Sequence, residues 1–144
     1  MDLQEPDRKM STTGGTPQGT LALLDPPDTV RRKVRSAVTD SGSEVRRGED
    51  KPGITNLIDI MSVATGASPE EIEARYDGTG YGKFKEDVAE AVVGLLDPIR
   101  LRYGELRGNP AELKAILANG AAKADSIASA TPRTAYDRVG FVAP

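Results

Sequence analysis

The chain has 144 residues, 19 Lys+Arg against 22 Asp+Glu and a formal net charge of -3, which excludes a histone-like or polybasic protein but leaves room for local basic patches. It contains no Cys and no His, so a disulfide framework, a thiolate nucleophile, a Ser-His-Asp triad and the usual zinc ligands are all excluded. General acid or base chemistry would fall to carboxylates, Lys or Tyr, and with 4% aromatics and no Trp a core must rest on Leu, Ile, Val and Ala.

Residues 1–20 read as loop, because Ser11-Thr12-Thr13-Gly14-Gly15-Thr16-Pro17 combines paired glycines, hydroxyl residues and a proline. Thr20 to Leu24 reads as one short strand, stopped at Asp25-Pro26-Pro27. A helix is expected from about Pro27 to Val38, with Pro in its first turn and Asp28 at its positive end. Residues 39–53 return to turn chemistry. Ile54, Leu57, Ile58 and Met61 then recur at i, i+3, i+4 and i+7, the stripe of an amphipathic helix that stops near Gly66.

Ser68-Pro69-Glu70-Glu71 carries a cap, a first-turn proline and the Glu of a capping box, starting a short helix that gives out at Asp77-Gly78. A long helix follows from about Gly82 to Leu106, with Phe84, Val88, Val92, Leu95 and Ile99 on one face and a kink or break expected near Leu96 because of Pro98. Asn109-Pro110 opens the next helix, whose stripe of Leu113, Ile116, Leu117, Ala121, Ala124 and Ile127 suits close packing. Thr131-Pro132 restarts a helix to about Val139 that is expected to bury Phe141. The fold class is therefore mostly α, a helical bundle preceded by a loop and one strand. A lone strand has nothing to pair with, which suggests that its sheet lies outside the chain.

The longest apolar stretches, Leu21–Leu24 and Ala91–Leu96, fall far short of the roughly 20 residues of a spanning helix. Met1-Asp2-Leu3-Gln4-Glu5 lacks the basic start and apolar middle of a signal peptide. A soluble cytoplasmic protein without a membrane partner is the expectation.

Four groups of residues could carry chemistry. Lys9-Met10-Ser11-Thr12-Thr13 places an ammonium, hydroxyls and free amides on a loop that could close over a triphosphate and stabilise charge on a leaving pyrophosphate, and the same residues also fit an inert terminal segment. Arg31, Arg32, Lys33 and Arg35 could engage nucleic-acid phosphates or simply form a solvated helix face, with Arg46-Arg47 and Lys51 as possible extensions. Gly78-Thr79-Gly80-Tyr81-Gly82 follows a helix and lacks dinucleotide-fingerprint spacing, so it reads as an interhelical loop. Glu70, Glu71 and Glu73 are explained by capping and the helix dipole. No metal site is expected.

Several segments in order resemble one family. Met1-Asp2-Leu3-Gln4-Glu5-Pro6 with Lys9-Met10-Ser11, then Arg35 to Ser41, Lys51 to Leu57, Tyr81 to Lys85, Asp87 to Val92, Gly120 to Ala124 and Val139-Gly140-Phe141 are similar to the C-terminal portion of bacterial tryptophanyl-tRNA synthetase. The related tyrosine enzyme shares the signature loop, but the run from Ala37 to Asn56 points to the tryptophan one. The resemblance implies a class I aminoacyl-tRNA synthetase, which activates its amino acid with ATP and Mg²⁺ and charges tRNA(Trp), and which works as a homodimer. Residues 1–26 would then end a Rossmann-like catalytic domain with a KMSKS-like ATP loop, and residues 27–144 would be the helical tRNA (anticodon)-binding domain. Lys9, Met10 and Ser11 fit the first three signature positions, with Lys9 catalytic. Thr12 stands in place of the usual second lysine, and Thr13 in place of serine. The family's HIGH-type histidine signature and tryptophan pocket precede that loop, so the 144-residue chain is expected to be inactive alone. The alternative is a stand-alone, non-catalytic helical module that binds tRNA or a partner.

Overall fold

A computed structural model describes residues 1–141. It contains six helices: α1 (Pro27–Arg35), α2 (Pro52–Thr65), α3 (Pro69–Tyr76), α4 (Tyr81–Gly108), α5 (Pro110–Ala128) and α6 (Ala130–Val139). No strand occurs among the described residues. The chain packs as two compact units, one from Met1 to Leu101 and the other from Arg102 onward.

The first unit holds the core. α2 buries Ile54, Leu57, Ile58 and Met61, the stripe its spacing predicts, and ends where Gly66 takes a left-handed φ of 76°. α3 begins at the expected capping box, with Ser68 Oγ accepting from the Glu71 amide and Glu71 accepting from the Ser68 amide at 2.8 Å. It buries Ile72 and Tyr76, and the Tyr76 ring meets Phe84 edge-on at 5.0 Å. α1 adds Val30 and Val34.

α4 runs through Pro98 as one helix, so of the kink or break expected there the break does not occur. The ring removes one donor, for the Gly94 carbonyl, and a helix of 28 residues retains its ladder on both sides. Its buried line also differs from the expected one. Phe84, Val88, Val92 and Leu96 face inward with Ala89 and Val93, while Leu95 and Ile99 are each 44% exposed. A strict step of four keeps to the stripe here, and the shorter step to Leu95 rotates off it.

Thr20 to Leu24 does not form the expected strand. Asp25 folds it into a turn instead, its amide donating to the Ala22 carbonyl and its carboxylate accepting from the Ala22 amide, both at 3.0 Å. No other extended segment among the described residues offers a ladder.

Segments outside the helices are tied down by specific polar contacts. Asn56 on α2 donates to the Met1 and Asp2 carbonyls at 3.2 Å and accepts from the Met1 nitrogen at 2.7 Å. Leu3, fully buried, donates its amide to Gly19 O and accepts from the Val38 amide. Residues 36–51 are held by the nearly buried Lys51, which reaches Asp40 at 3.1 Å and the Tyr81 hydroxyl at 2.8 Å; that hydroxyl also donates to Asp40 at 2.8 Å. Burial pushes the Asp40 carboxyl up, but the Tyr81 hydroxyl, the Gly42 amide and Lys51 together outweigh it and hold it below the usual carboxylate range. Gly53 must be glycine because a Cβ there would overlap the Val38 carbonyl oxygen.

In the second unit, Asn109 caps α5 by accepting from the Glu112 amide at 3.2 Å, as its sequence predicts. Arg102 bridges Glu105 at 3.1 Å and Glu112 at 2.7 Å. Neither α5 nor α6 has a buried residue, so the expected close packing of the Leu113 to Ile127 stripe does not appear. Phe141 is 64% exposed rather than buried, its ring set edge-on to Tyr136 at 6.1 Å. Gly140, with φ 81°, turns the chain just before it, and Phe141 meets the Tyr136 ring there.

Candidate functional site

The loop from Lys9 to Thr20 is organised by Ser11. Its hydroxyl accepts from the Thr13 amide at 3.3 Å and the Gly14 amide at 3.0 Å, and its carbonyl accepts from the Gly15 amide at 3.2 Å. A Cβ on Gly15 would lie 2.6 Å from that carbonyl oxygen, so the tight approach needs glycine. Thr20 Oγ1 closes the loop onto the same carbonyl at 3.4 Å. Lys9, Thr12 and Thr13 are exposed, Ser11 is half-buried, and Met10 is half-buried against the core. Ser11 to Gly15 thus form one turn, with Met10 as an apolar foot before it and Thr12 and Thr13 as its polar crest.

Beside this turn lies a cavity of about 320 Å³ lined in part by Ser11, Thr12, Thr16, Thr20, Asp25 and Lys33. Three threonine hydroxyls, one serine hydroxyl and one ammonium suit the oxygens of an anion. Asp25 is the one carboxylate lining it, and Lys33 occupies that carboxylate at 2.6 Å. No group of three or more acidic side chains among the described residues could hold a metal ion.

The basic run on α1 is divided by its surroundings. Arg31 makes a bidentate pair with Glu90 at 2.6 and 3.0 Å and bonds Asp28 at 3.0 Å. Those two carboxylates hold its guanidinium still more firmly protonated, and Arg31 in turn lowers the Glu90 carboxyl. Lys33 is buried, donating to Asp25 and to the Thr20 carbonyl at 2.7 Å. Arg32 and Arg35 are exposed and make no ion pair among the described residues. The possible extensions are also engaged: Arg46 pairs with Glu44 and Asp50, Arg47 with Asp59, and Lys51 with Asp40.

The other motifs are structural. Gly78 and Gly80, with φ of 69° and 81°, turn the chain between α3 and α4 and deliver Tyr81 to Asp40. Glu71 caps α3, and Glu73 accepts from the Arg47 amide at 2.6 Å. Sequence spacing did not single out Asp25, and it read Lys33 as surface. Their pairing across eight residues and a turn leaves no periodic signal.

A sequence profile described as "tRNA synthetases class I (W and Y)" matches residues 1–97. The tryptophan–tRNA ligase of Clostridium acetobutylicum is 44% identical over 144 residues, covering 100% of this chain and 43% of that protein. That of Enterococcus faecalis is 48% identical over 142 residues, covering 98% of this chain and 42% of its own length. The chain thus spans about 43% of the length of the curated relatives it matches. Among solved structures, tryptophanyl-tRNA synthetase from Mycoplasma pneumoniae superposes with a TM-score of 0.82 at 27% identity, over 99% of this chain and 45% of that one. The Campylobacter jejuni tryptophanyl-tRNA synthetase complexed with ADP and tryptophan gives a TM-score of 0.72 at 28% identity, over 98% of this chain and 44% of that one. None of the six helices is long and apolar enough to cross a membrane. With its signature turn and helices all inside these matches, the chain belongs to the class I tRNA synthetases of the tryptophan and tyrosine kind, and within them it corresponds to the C-terminal portion of a tryptophan–tRNA ligase.

Proposed function

We propose that this chain serves the charging of tRNA(Trp) in the cytoplasm, with residues 1–26 completing an ATP site and residues 27–144 forming the tRNA-facing helical part. The observation that carries the reading is the Ser11-organised turn beside a hydroxyl-lined cavity of about 320 Å³. Lys9, Met10, Ser11, Thr12 and Thr13 would close over Mg²⁺-bound ATP, which is a substrate here. The exposed Lys9 ammonium and the loop amides would stabilise charge developing on the leaving pyrophosphate. Thr12 brings a hydroxyl where the signature usually has an ammonium, which leaves Lys9 as the cation on the loop itself. The ADP in the Campylobacter jejuni complex supports an adenine nucleotide as the ligand class.

On the tRNA side, Arg32 and Arg35 are the members of the basic run with free guanidinium groups among the described residues, and they are the proposed phosphate contacts. Arg31 and Lys33 are held by Glu90 and Asp25, so their part in tRNA binding would be indirect. Tryptophan would be bound by residues outside this chain, and the complete enzyme would act as a homodimer.

The test is enzymatic. In a complete ligase carrying this segment, Lys9→Ala should lower the rate of adenylate formation more than it raises the KM for tryptophan, and an unchanged pre-steady-state kcat counts against the assignment. The purified 144-residue chain should catalyse no tryptophan-dependent ATP–pyrophosphate exchange. Exchange by the chain alone would show that it carries the whole site.

A further inference from the structure

Lys33 sits on α1, inside the fold, with its side chain 8% exposed. Taking an ammonium out of water is costly unless it is paired and hydrogen-bonded. Here two of its three N–H groups are spent on one short stretch. One goes to Asp25 Oδ2 at 2.6 Å and one to the Thr20 carbonyl at 2.7 Å. The Asp25 carboxylate is fixed in turn by the Ala22 amide at 3.0 Å.

Thr20 is the far root of the signature turn, and its hydroxyl reaches the Ser11 carbonyl at 3.4 Å. Ser11 O also accepts from Gly15, and Ser11 Oγ from Thr13 and Gly14. A continuous line of contacts therefore runs from the interior of α1, through Thr20, to the residue that shapes the crest of the turn. Lys33 is also among the residues that line the cavity beside the turn.

Resting on the nucleotide reading of that turn, we infer that Lys33 is a positioning residue for it. Held by Asp25, it fixes the Thr20 arm and so sets the distance across which the Ser11, Thr12 and Thr20 hydroxyls face a bound phosphate chain. A phosphate chain held by several hydroxyls and amides is sensitive to sub-ångström shifts in their spacing. A role limited to stability makes a different demand. A methionine in the same buried place fills the volume of the lysine stem and removes a desolvated charge, and such replacements of buried ionic groups are often neutral. A positioning role does not survive that exchange, because methionine has nothing to offer the Thr20 carbonyl.

The experiment uses the 144-residue chain and two variants, Lys33→Met and Asp25→Asn, the second retaining the acceptor for the Ala22 amide while removing the ion pair. Amide hydrogen exchange is followed at Gly15 and Gly19, whose amides bond Ser11 O and Thr16 O, with Ile58 and Val88 as core references. Binding of Mg·ATP and of pyrophosphate is measured by calorimetry on the same samples. Exchange at Gly15 and Gly19 should rise about tenfold in both variants, and nucleotide affinity should fall by about the same factor, the effect expected of a lost charge-assisted hydrogen bond. Core exchange should stay unchanged.

Unchanged exchange in the turn overturns the anchor. Faster exchange with undiminished binding overturns the positioning role and leaves Lys33 structural. If the unaltered chain binds neither Mg·ATP nor pyrophosphate, the same two variants in a complete ligase carrying this segment decide the binding arm, undiminished binding there overturning the positioning role, while the exchange data still decide the anchor. Should Lys33→Met lose its helical circular dichroism, Asp25→Asn decides by the same criteria.

Discussion

α3 and α5 start alike and end differently. Ser68-Pro69 and Asn109-Pro110 each supply a side-chain cap to an amide three residues on, followed by a proline that fits the first turn. α3 then buries Ile72 and Tyr76, whereas α5, more than twice as long, buries nothing. Local chemistry decides where a helix begins. Burial decides what it contributes to stability. In the first unit the same apolar spacing meets partners from α1, α2 and α4; in the second, Leu117 and Ile127 remain 64% and 73% exposed.

The largest test of this contrast compares two truncations. Phe84 is fully buried against Tyr76, and Phe84→Ala should cost about 3–5 kcal/mol in urea or thermal unfolding. Ile127→Ala should fall within about 0.5 kcal/mol. Equal losses would mean that the second unit carries a core of its own.

A middle-sized effect concerns acid. Because Asp40 is held below its ordinary range in the folded state, its contribution is fully present above the unfolded value of about 3.9 and is lost as pH falls through the folded value. Unfolding midpoints should therefore drop below about pH 4, and Asp40→Asn should flatten that limb while lowering the midpoint at neutral pH. An acid limb of the same slope in the variant would move the effect to other carboxylates, such as Asp87 beside Lys83.

The smallest effect sharpens the comparison most. Ser68→Ala and Asn109→Ala remove equivalent caps, each worth about 1 kcal/mol. The first should lower the global unfolding midpoint. The second should appear as faster amide exchange in the first turn of α5, with the midpoint of the first unit unmoved. A global shift from Asn109→Ala would show that the two units unfold together.

Much of the helical framework was legible because its signals are short-range. Ser68-Pro69-Glu70-Glu71, Asn109-Pro110 and Gly66 are each read from a few neighbours, and all three act as expected. Failures came where side-chain contacts outside the periodic pattern decide. Leu21 to Leu24 has the composition of a strand, but Asp25 turns it and no partner pairs with it. Lys33 looks like its neighbours Arg32 and Arg35 in sequence and differs from them only because Asp25 and the Thr20 carbonyl lie across the turn. The turn at Ser11 could be expected from Ser11-Thr12-Thr13-Gly14-Gly15, since it is made of adjacent residues. Its support from α1 could not.

Asn56 reads its partners by their main chain alone, accepting from and donating to backbone atoms of Met1 and Asp2. The contact therefore makes no demand on the side chain at position 1, whereas it requires the amide at 56. An aspartate there, differing by one atom, would set a carboxylate against two carbonyl oxygens. A site that recognises shape without spelling leaves its trace on one partner only, and a search for paired substitutions would pass it by.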